Sequence, residues 1–298
     1  MKRLFPFALA AGIVAMACSG AKQSEETTAT DTTAVAQPKA PVTLTKKWET
    51  EATLTTCESV IYDKTNDVLY VANINGVPDG KDGNGFISKV SLDGKVTEAQ
   101  WIKGMDAPKG MGIANGKLYV TDIDRVHEID IASGKIVKTH KVAGAKFLND
   151  IATDQAGKVY ISDTGGGSIS VIENGKLSKW IENLQGPNGL FAEGNEILTV
   201  LWDGKTLNTI DPTSKQLTVK TDSVENGDGI EAIGNGEYLV SSWNGMVHHI
   251  GSDWKKTLVL DTRADSVSAA DIEYIQEKNL LLVPTFFKNK VVAYELSK

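Results

Sequence analysis

Six near-copies of one short pattern recur along this chain, and their spacing constrains the fold more than any other feature. The copies are ESVIYD from Glu58, KGMGIA from Lys109, NDIATD from Asn149, NGLFAE from Asn188, DGIEAI from Asp228 and ADIEYI from Ala270. A second pattern follows each copy after 9 to 11 residues: LYVANI, LYVTDI, VYISDT, ILTVLW, YLVSSW and LLVPTF. The steps between copies are 51, 40, 39, 40 and 42 residues. A repeat of about 40 residues made of short strands and Gly, Asn and Asp turns is typical of a β-propeller, so the sequence predicts an all-β, six-bladed β-propeller.

The charge of the chain limits its partners. The formal net charge is −7, and it becomes two units more negative if Lys2 and Arg3 are removed with a leader. Nucleic acids and anionic membrane surfaces are bound through basic patches, so we expect neither as a partner. We expect a monomer that binds a small-molecule substrate.

Residues 1–17 have the features of a secretory signal peptide: basic residues at the start, an apolar run and small residues at the end. The stretch AMAC at residues 15–18 resembles the lipobox of bacterial lipoproteins, which implies that Cys18 becomes the lipidated N-terminus. Ala15 stands where that motif usually has Leu, so cleavage of an ordinary signal peptide near this point is the alternative. In both cases we expect an exported protein. Lipidation would anchor it to a bacterial membrane, in the periplasm or at the cell surface.

The chain after the leader divides into a tether and a folded domain. Residues 18–41 are rich in Thr, Ala and acidic residues and have no apolar period, which predicts a flexible polar tether. Residues 42–298 are predicted to form the propeller. A ring of blades must close without a long open edge, so we expect residues 43–53 to supply the outer strand of the last blade. Cys57 is predicted to be a buried small side chain and not a nucleophile.

One position of the repeat collects oxygen donors. The first strand of every propeller blade runs beside the central channel, so equivalent positions form a ring, here Glu58, Lys109, Asn149, Asn188, Asp228 and Ala270. Ca²⁺ takes about six to eight oxygens from carboxylates, amide carbonyls and water. No His or Cys shares the ring, which disfavours zinc and copper. The pattern predicts a divalent cation, Ca²⁺ or another, bound by Glu58, Asn149, Asn188 and Asp228.

A purely structural interpretation of the same residues stays open. Asn188-Gly189 and Asp228-Gly229 are dipeptides that occur most often in turns. The metal interpretation gains weight because the donors fall at one register position in four of six repeats, beside apolar residues that indicate a strand.

The residues around these donors resemble the regucalcin/gluconolactonase (senescence marker protein) family. The resemblance rests on CESVIYD, FLNDIATD, GPNGLFA and GDGIEAI and covers about residues 50–298, and a more distant likeness extends to the diisopropylfluorophosphatase and paraoxonase propellers. It implies that Glu58, Asn188 and Asp228 bind a divalent metal, generally calcium. It also implies that Asn149 completes the metal shell or contacts the substrate.

The family's chemistry implies hydrolysis of a lactone or a related ester. Asp228 would be the catalytic carboxylate that takes a proton from the attacking water, and Glu58 would act only as a metal ligand. Asp150 is expected to point away from the axis by strand alternation, as a support for the metal ligands or a turn residue.

Two residues depart from the family pattern and are candidate substrate-binding residues together with Asn149. Phe147 stands where sugar-lactone members carry an Arg that grips substrate hydroxyls, which predicts a less polar substrate. Lys109 lies on the ring itself. Its ammonium would either compensate Glu58 and Asp228 and reduce the need for a metal, or reach up to bind an anionic substrate.

The remaining conspicuous residues are predicted to be structural. The insertion from Asn73 to Phe86 is expected to be a surface loop over the channel mouth and not an EF-hand, which needs a downstream Glu. All four histidines lie outside the ring register. Trp202 and Trp243 hold matching places in two repeats, where packing between blades is favoured and a place on the pocket wall is the alternative. The functional alternatives to a lactonase are a phosphotriesterase-like hydrolase and a non-catalytic propeller lipoprotein that binds a ligand or a protein.

Overall fold

The computed structural model describes residues 40–298, and they form six four-stranded antiparallel sheets, which are the blades of a β-propeller. The prediction of a six-bladed, all-β fold is therefore confirmed. The predicted leader at residues 1–17, the lipidation site Cys18 and the tether as far as residue 39 lie outside the described residues.

The strands follow the repeat from one end of the domain to the other. The chain begins with β1 (Thr43–Glu49). Blade 1 contains β2 (Cys57–Asp63), β3 (Val68–Asn73), β4 (Gly85–Val90) and β5 (Val96–Met105), and blade 2 contains β6 (Pro108–Ala114), β7 (Lys117–Asp122), β8 (Arg125–Asp130) and β9 (Lys135–Lys141). Blade 3 contains β10 (Leu148–Thr153), β11 (Val159–Asp163), β12 (Ser168–Glu173) and β13 (Lys176–Ile181), and blade 4 contains β14 (Pro187–Glu193), β15 (Glu196–Leu201), β16 (Thr206–Ile210) and β17 (Leu217–Thr221). Blade 5 contains β18 (Gly227–Gly234), β19 (Glu237–Ser242), β20 (Met246–Ile250) and β21 (Lys256–Asp261), and blade 6 contains β22 (Glu273–Ile275), β23 (Leu280–Pro284) and β24 (Val291–Ser297).

The two ends of the domain close the ring of blades. β1 pairs antiparallel with β24, from Thr43 opposite Ser297 to Glu49 opposite Val292, so that blade 6 has the order β22-β23-β24-β1. This confirms the predicted closing strand, although the strand ends at Glu49 and does not reach residue 53. The pairing covers an edge of blade 6 that would otherwise be open.

The core lies between neighbouring blades. Along β3, Leu69 and Val71 pack against blade 6, whereas Tyr70 and Ala72 pack against blade 2. Successive side chains of a strand point to opposite faces, so a blade between two neighbours buries both faces. This explains why the second strand of each repeat is an almost continuous apolar run. Cys57 belongs to the core between blades 1 and 6, and burial raises the pKa of its thiol to about 12, as expected of a structural cysteine.

The first strands of the blades approach one another closely where three glycines follow ring residues. A Cβ on Gly189 would lie 1.7 Å from the carbonyl oxygen of Asp228, and a Cβ on Gly110 would lie 2.5 Å from Asp150 Cα. Gly189 lies within β14, so Asn188-Gly189 belongs to a strand and not to a turn. The absence of a side chain lets these strands meet around the site.

Loops complete the fold. Residues 74–84 form the loop between β3 and β4, where the insertion was predicted. The helical elements in residues 40–298 are single 3₁₀ turns at Arg263–Asp265 and Gln276–Lys278. In that part of the chain, no helix has the length and apolar character needed to cross a membrane.

Candidate functional site

Five of the six ring positions face one cavity of about 310 Å³. Its polar part is formed by Glu58, Lys109, Asn149, Thr164, Asn188 and Asp228, and its apolar part by Ile74, Pro78, Phe147, Trp202, Trp243 and Phe286. The ring residues come from the first strands of blades 1 to 5, and their side chains are buried. The sixth ring residue, Ala270, is buried outside the cavity lining, just before β22. The predicted register therefore brings every predicted site residue of the propeller into one place.

The two ring carboxyl groups are buried and accept few hydrogen bonds. Glu58 Oε2 is buried and accepts no hydrogen bond from any group in residues 40–298. Burial, and then the charge of Asp228, raise the pKa of Glu58 well above its usual value. Burial and the charge of Asp271 likewise raise the pKa of Asp228, although Asn188 opposes the shift by donating to Asp228 Oδ1 at 3.1 Å. Two buried carboxyl groups of this kind are stabilised by a proton or by a cation.

The two ring asparagines each have a side-chain oxygen that is available to a cation. Asn188 Nδ2 donates to the carbonyl oxygen of Gly227 at 3.0 Å and to Asp228. Asn188 Oδ1 is buried and has no partner in the described part of the chain. Asn149 Nδ2 donates to Thr164 Oγ1 at 3.4 Å, so its oxygen is the atom available to a ligand. Two carboxylates and two amide oxygens are hard donors, which fit Ca²⁺ or a similar cation. Within residues 40–298 no group of three or more His, Cys, Asp and Glu side chains is placed to hold a metal, so a site here depends on the amide oxygens.

Lys109 is held by contacts with Ala107 and Phe147. Its Nζ donates to the carbonyl oxygen of Ala107 at 3.0 Å and lies 4.4 Å from the centre of the Phe147 ring. Among residues 40–298 it forms no ion pair with Glu58 or Asp228. Burial lowers the pKa of Lys109 to about 8, against the opposing charges of Glu58, Asp122 and Asp79. The ammonium thus leaves Glu58 Oε2 free and presents its charge to the wall of the cavity.

Two aspartates at matching positions fix the segments that carry these side chains. Asp122, at the end of β7, accepts hydrogen bonds from the backbone of Ala107 at 2.7 Å and from Asp106. Asp163, at the end of β11, accepts from the backbone of Phe147 at 2.8 Å. Each one holds the chain that leads into the first strand of its own blade. Neither aspartate was among the residues predicted from the sequence, although both end the second repeat pattern, in LYVTD and VYISD.

Asp150 supports the ring from behind. It does not line the main cavity, and its carboxylate accepts hydrogen bonds from the backbone of Leu190 at 2.7 Å and of Ile151 at 2.6 Å. Since Leu190 lies in β14, Asp150 ties the first strand of blade 3 to that of blade 4. This agrees with the prediction that it points away from the site.

The tryptophans contribute more than the sequence analysis favoured. Trp202 and Trp243 both line the cavity, and Trp243 also packs edge-on against Phe286 with ring centres 5.4 Å apart. The histidines take part in other contacts. His127 Nε2 lies 3.0 Å from Asp122 Oδ2, and His140 Nε2 lies 3.0 Å from Glu128 Oε2. No histidine lines the main cavity.

The comparisons with known proteins support the fold alone. No family model matches the chain. No curated protein matches it in sequence either. Among solved structures, the chain is similar to virginiamycin B lyase from Staphylococcus aureus, solved as a catalytically inactive variant with quinupristin, at 15% identity and a TM-score of 0.61 over 86% of this chain and 100% of that one.

Two further solved structures are similar to this chain at low sequence identity. A streptogramin B lyase is 13% identical with a TM-score of 0.63, over 86% of this chain and 98% of that one. A structural-genomics target assigned provisionally as a gluconolactonase is 15% identical with a TM-score of 0.64, over 87% of this chain and 93% of that one. At such identities the likeness establishes a shared six-bladed propeller fold.

Proposed function

We propose that this protein is a metal-dependent hydrolase that opens a lactone or a related ester in the cavity above Glu58 and Asp228. The observation that carries the proposal is that two buried oxygens of residues lining this cavity, Glu58 Oε2 and Asn188 Oδ1, have no hydrogen-bond partner among residues 40–298. Buried polar atoms are normally paired, and a hard cation would satisfy both. The fold likeness to the provisional gluconolactonase is consistent with this activity.

In the proposed reaction Glu58, Asn149, Asn188 and Asp228 hold Ca²⁺ or another divalent cation. When bound, such an ion makes a carbonyl carbon more electrophilic and stabilises charge on its oxygen. Asp228 takes a proton from a water molecule as the water oxygen bonds to the carbonyl carbon. The C–O bond of the ring then breaks, the proton on Asp228 passes to the leaving oxygen, and the product is a hydroxy acid.

Lys109 has a separate role in this proposal. Its ammonium faces the cavity and has a single hydrogen-bond acceptor in residues 40–298, the carbonyl oxygen of Ala107, so two of its N–H groups remain for a ligand. They are suited to the carbonyl oxygen of the substrate or to the carboxylate of the product. A positive charge in a dry cavity stabilises an anionic oxygen more strongly than it would in water.

The test of the proposed function is a panel of lactones and esters incubated with calcium-loaded protein, with products analysed by mass spectrometry. Hydrolysis adds one water to the substrate mass. Ring opening by elimination, the reaction class of a lyase, gives an isomer of unchanged mass, and it would replace hydrolysis in the proposal. If calcium binds and no substrate is turned over, the protein is a binding propeller and the proposal fails.

We also propose that the propeller works outside the cytoplasm, anchored by lipid on Cys18. The proposal rests on the leader and on the lipobox-like residues 15–18. In bacterial cells supplied with labelled palmitate, the wild-type protein should carry label and partition into detergent, and Cys18→Ala should lose both properties. Export of wild-type protein without label would show that the leader is an ordinary signal peptide, and it would refute the lipid anchor.

A further inference from the structure

The main cavity has a polar floor and an apolar wall, and the wall is built by five different blades. Ile74 and Pro78 come from the loop after β3, Phe147 precedes β10, Trp202 follows β15, Trp243 follows β19 and Phe286 follows β23. Four of these six side chains are aromatic. Loops from five blades therefore converge to offer carbon surface to whatever lies above the ring residues.

The wall offers few partners to a polyhydroxylated substrate. Thr164, the polar cavity residue outside the ring, already donates its hydroxyl to the carbonyl oxygen of Pro187 at 2.8 Å. The position of Phe147 presents a ring that is covered on one side by the Lys109 ammonium. A hydroxyl group buried without a hydrogen-bond partner costs free energy, whereas an alkyl group gains it in the same place.

The apolar surface continues outside the cavity. Phe287 is 62% exposed, and its ring centre lies 4.7 Å from that of Phe286 and 6.0 Å from that of Trp243. Val77, the neighbour of Pro78, is 61% exposed. Large apolar side chains exposed beside a binding cavity mark a surface that a ligand can cover. Here they extend the wall beyond the space in which the ring of a substrate would lie.

The size of the cavity sets the size of the ligand. A volume of about 310 Å³ equals roughly ten water molecules and lies at the lower end of small-molecule sites. It holds a five-membered lactone ring with a short chain. A longer chain would follow the wall to Phe287.

We propose that the substrates are lactones or esters that carry an unbranched alkyl chain, with the carbonyl group at the ring residues and the chain along Trp202, Trp243 and Phe286. This inference rests on the proposed hydrolysis for its reaction and on the wall for its ligand class. A sugar lactone would be a poorer substrate because hydroxyls that lie against the aromatic ring faces and Ile74 find no hydrogen-bond partner there.

A chain-length series tests the ligand class. For γ-lactones of four to twelve carbons, kcat/KM should rise about 2- to 4-fold for each added methylene until the chain leaves the wall. Glucono-δ-lactone should be at least about 100-fold poorer than the best member. A flat series, or preference for the sugar lactone, would overturn the inference.

A binding measurement separates the ligand class from the reaction. The probes are 5-alkylpyrrolidin-2-ones, lactams that resist hydrolysis, titrated into the full-length protein by calorimetry and followed by tryptophan fluorescence. Their affinity should rise with chain length as that of the lactones does. If the lactams bind in this way and no lactone is hydrolysed, the proposed function fails and the ligand class stands. If lactones are hydrolysed at rates that do not depend on the length of the alkyl chain, the proposed function stands and the ligand class fails.

Variants locate the chain on the wall. Trp202→Ala should weaken binding of the ten-carbon lactam about 10- to 100-fold and leave the shortest lactam within about 3-fold. Trp180→Ala is the matched control, because Trp180, which lies on β13, packs edge-on against Tyr160 on β11 and is not among the residues that line the cavity. Phe287→Ser removes an exposed side chain without disturbing the core, and it should weaken only the longest probes, about 3-fold. Equal losses in Trp202→Ala and Trp180→Ala would refute the assignment of the wall.

Discussion

The Lys109 ammonium lies 4.4 Å from the centre of the Phe147 ring, so the two residues that depart from the gluconolactonase-like pattern form one contact. The hydrogen bond from Lys109 to Ala107 holds the ammonium on the same side. An ammonium over an aromatic face is attracted by the ring quadrupole, and the attraction is stronger where water is excluded. Phe147 therefore helps to hold the Lys109 ammonium at the wall of the site.

Removing this positive charge should tighten cation binding. A neighbouring ammonium repels a bound divalent cation, and Met fills a similar volume without charge. In Lys109→Met the Kd for calcium should fall about 5- to 30-fold, which corresponds to about 1–2 kcal/mol. Calorimetric titration of the chelator-treated protein measures this change. Lys109→Arg keeps the charge and should bind calcium no more tightly than wild type. Weaker calcium binding by Lys109→Met would show that Lys109 supports the ring mechanically.

Neutralising Glu58 should have opposite effects with and without calcium. In chelator, Glu58→Gln removes a buried carboxyl group that lacks a partner, so the free energy of unfolding should rise by about 1–3 kcal/mol. In saturating calcium the wild type gains about 4 kcal/mol at 1,000 times its Kd, and the variant should lose most of that gain. Thermal unfolding in both conditions measures the crossing. Glu49→Gln, at an exposed ion pair with Lys46 and Lys290, is the control and should show no crossing. A variant destabilised equally in both conditions would contradict a cation at Glu58.

The ring was predictable from sequence because the repeat determines the register of the first strands. Glu58, Asn149, Asn188 and Asp228 face one cavity because each holds the same position in its blade. The direction of Lys109 was not predictable, since the Phe147 ring that it contacts belongs to the next blade, beyond the local contact with the Ala107 carbonyl. Side-chain rotamers chosen by tertiary contacts leave no local signal.

At the cavity wall and at the glycines, tertiary packing determines the structure more than local sequence preference does. Trp202 and Trp243 directly follow the ends of strands, so the direction of their side chains depends on the loops. Their matching positions in the repeat are compatible with a place in the core and with a place on the cavity wall. Asn188-Gly189 is a common turn pair, yet it lies in β14 because Gly189 meets the backbone of Asp228. Turn propensity describes an isolated segment, whereas the close approach of two blades appears only in the folded protein.

Gly189→Ala should therefore be among the most damaging small substitutions in the protein. A Cβ at Gly189 would lie 1.7 Å from the carbonyl oxygen of Asp228, and backbone there cannot move without displacing the ring. We expect a loss of more than about 4 kcal/mol or failure to fold. Gly76→Ala is the control, because the nearest atom to its added Cβ is 3.9 Å away, and its stability should change by less than about 1 kcal/mol. Chemical denaturation of both variants gives the comparison, and equal stability would contradict the close approach.

Asp163 should matter for stability although it does not line the site. Its carboxylate accepts hydrogen bonds from the backbone of Lys146, Phe147 and Gly166. Asp163→Ala leaves these N–H groups without an acceptor, so the free energy of unfolding should fall by about 2–4 kcal/mol. The matched control is Asp154→Ala, which removes a similar acceptor from an exposed turn and should cost about 1 kcal/mol or less. Similar losses in both variants would remove the special role of Asp163.

A second group of carboxyl side chains makes stability depend on pH. Asp150, Glu231, Asp271 and Glu273 line a smaller cavity of about 140 Å³, formed by residues further along the first strands. Burial, and then the charge of Asp271, raise the pKa of Glu273 to about 8. Burial also raises the pKa of Asp271 to about 7. Asp271 and Glu273 therefore keep their protons in the folded protein at pH values where the unfolded chain has released them.

The sign of the effect follows from proton binding. Between about pH 5 and pH 8 the folded protein binds more protons than the unfolded chain, so the free energy of unfolding falls as pH rises through this window. Glu273→Gln removes one of the groups responsible. We expect it to match wild type at pH 5 and to melt about 2 to 6 °C higher at pH 8, since about 1–3 kcal/mol is recovered. Glu295→Gln, at an exposed ion pair with Lys47, should change the melting temperature little at either pH. Thermal melts in chelator at both pH values decide the matter, and a Glu273→Gln variant less stable than wild type at pH 8 would show that Glu273 is stabilised as a carboxylate.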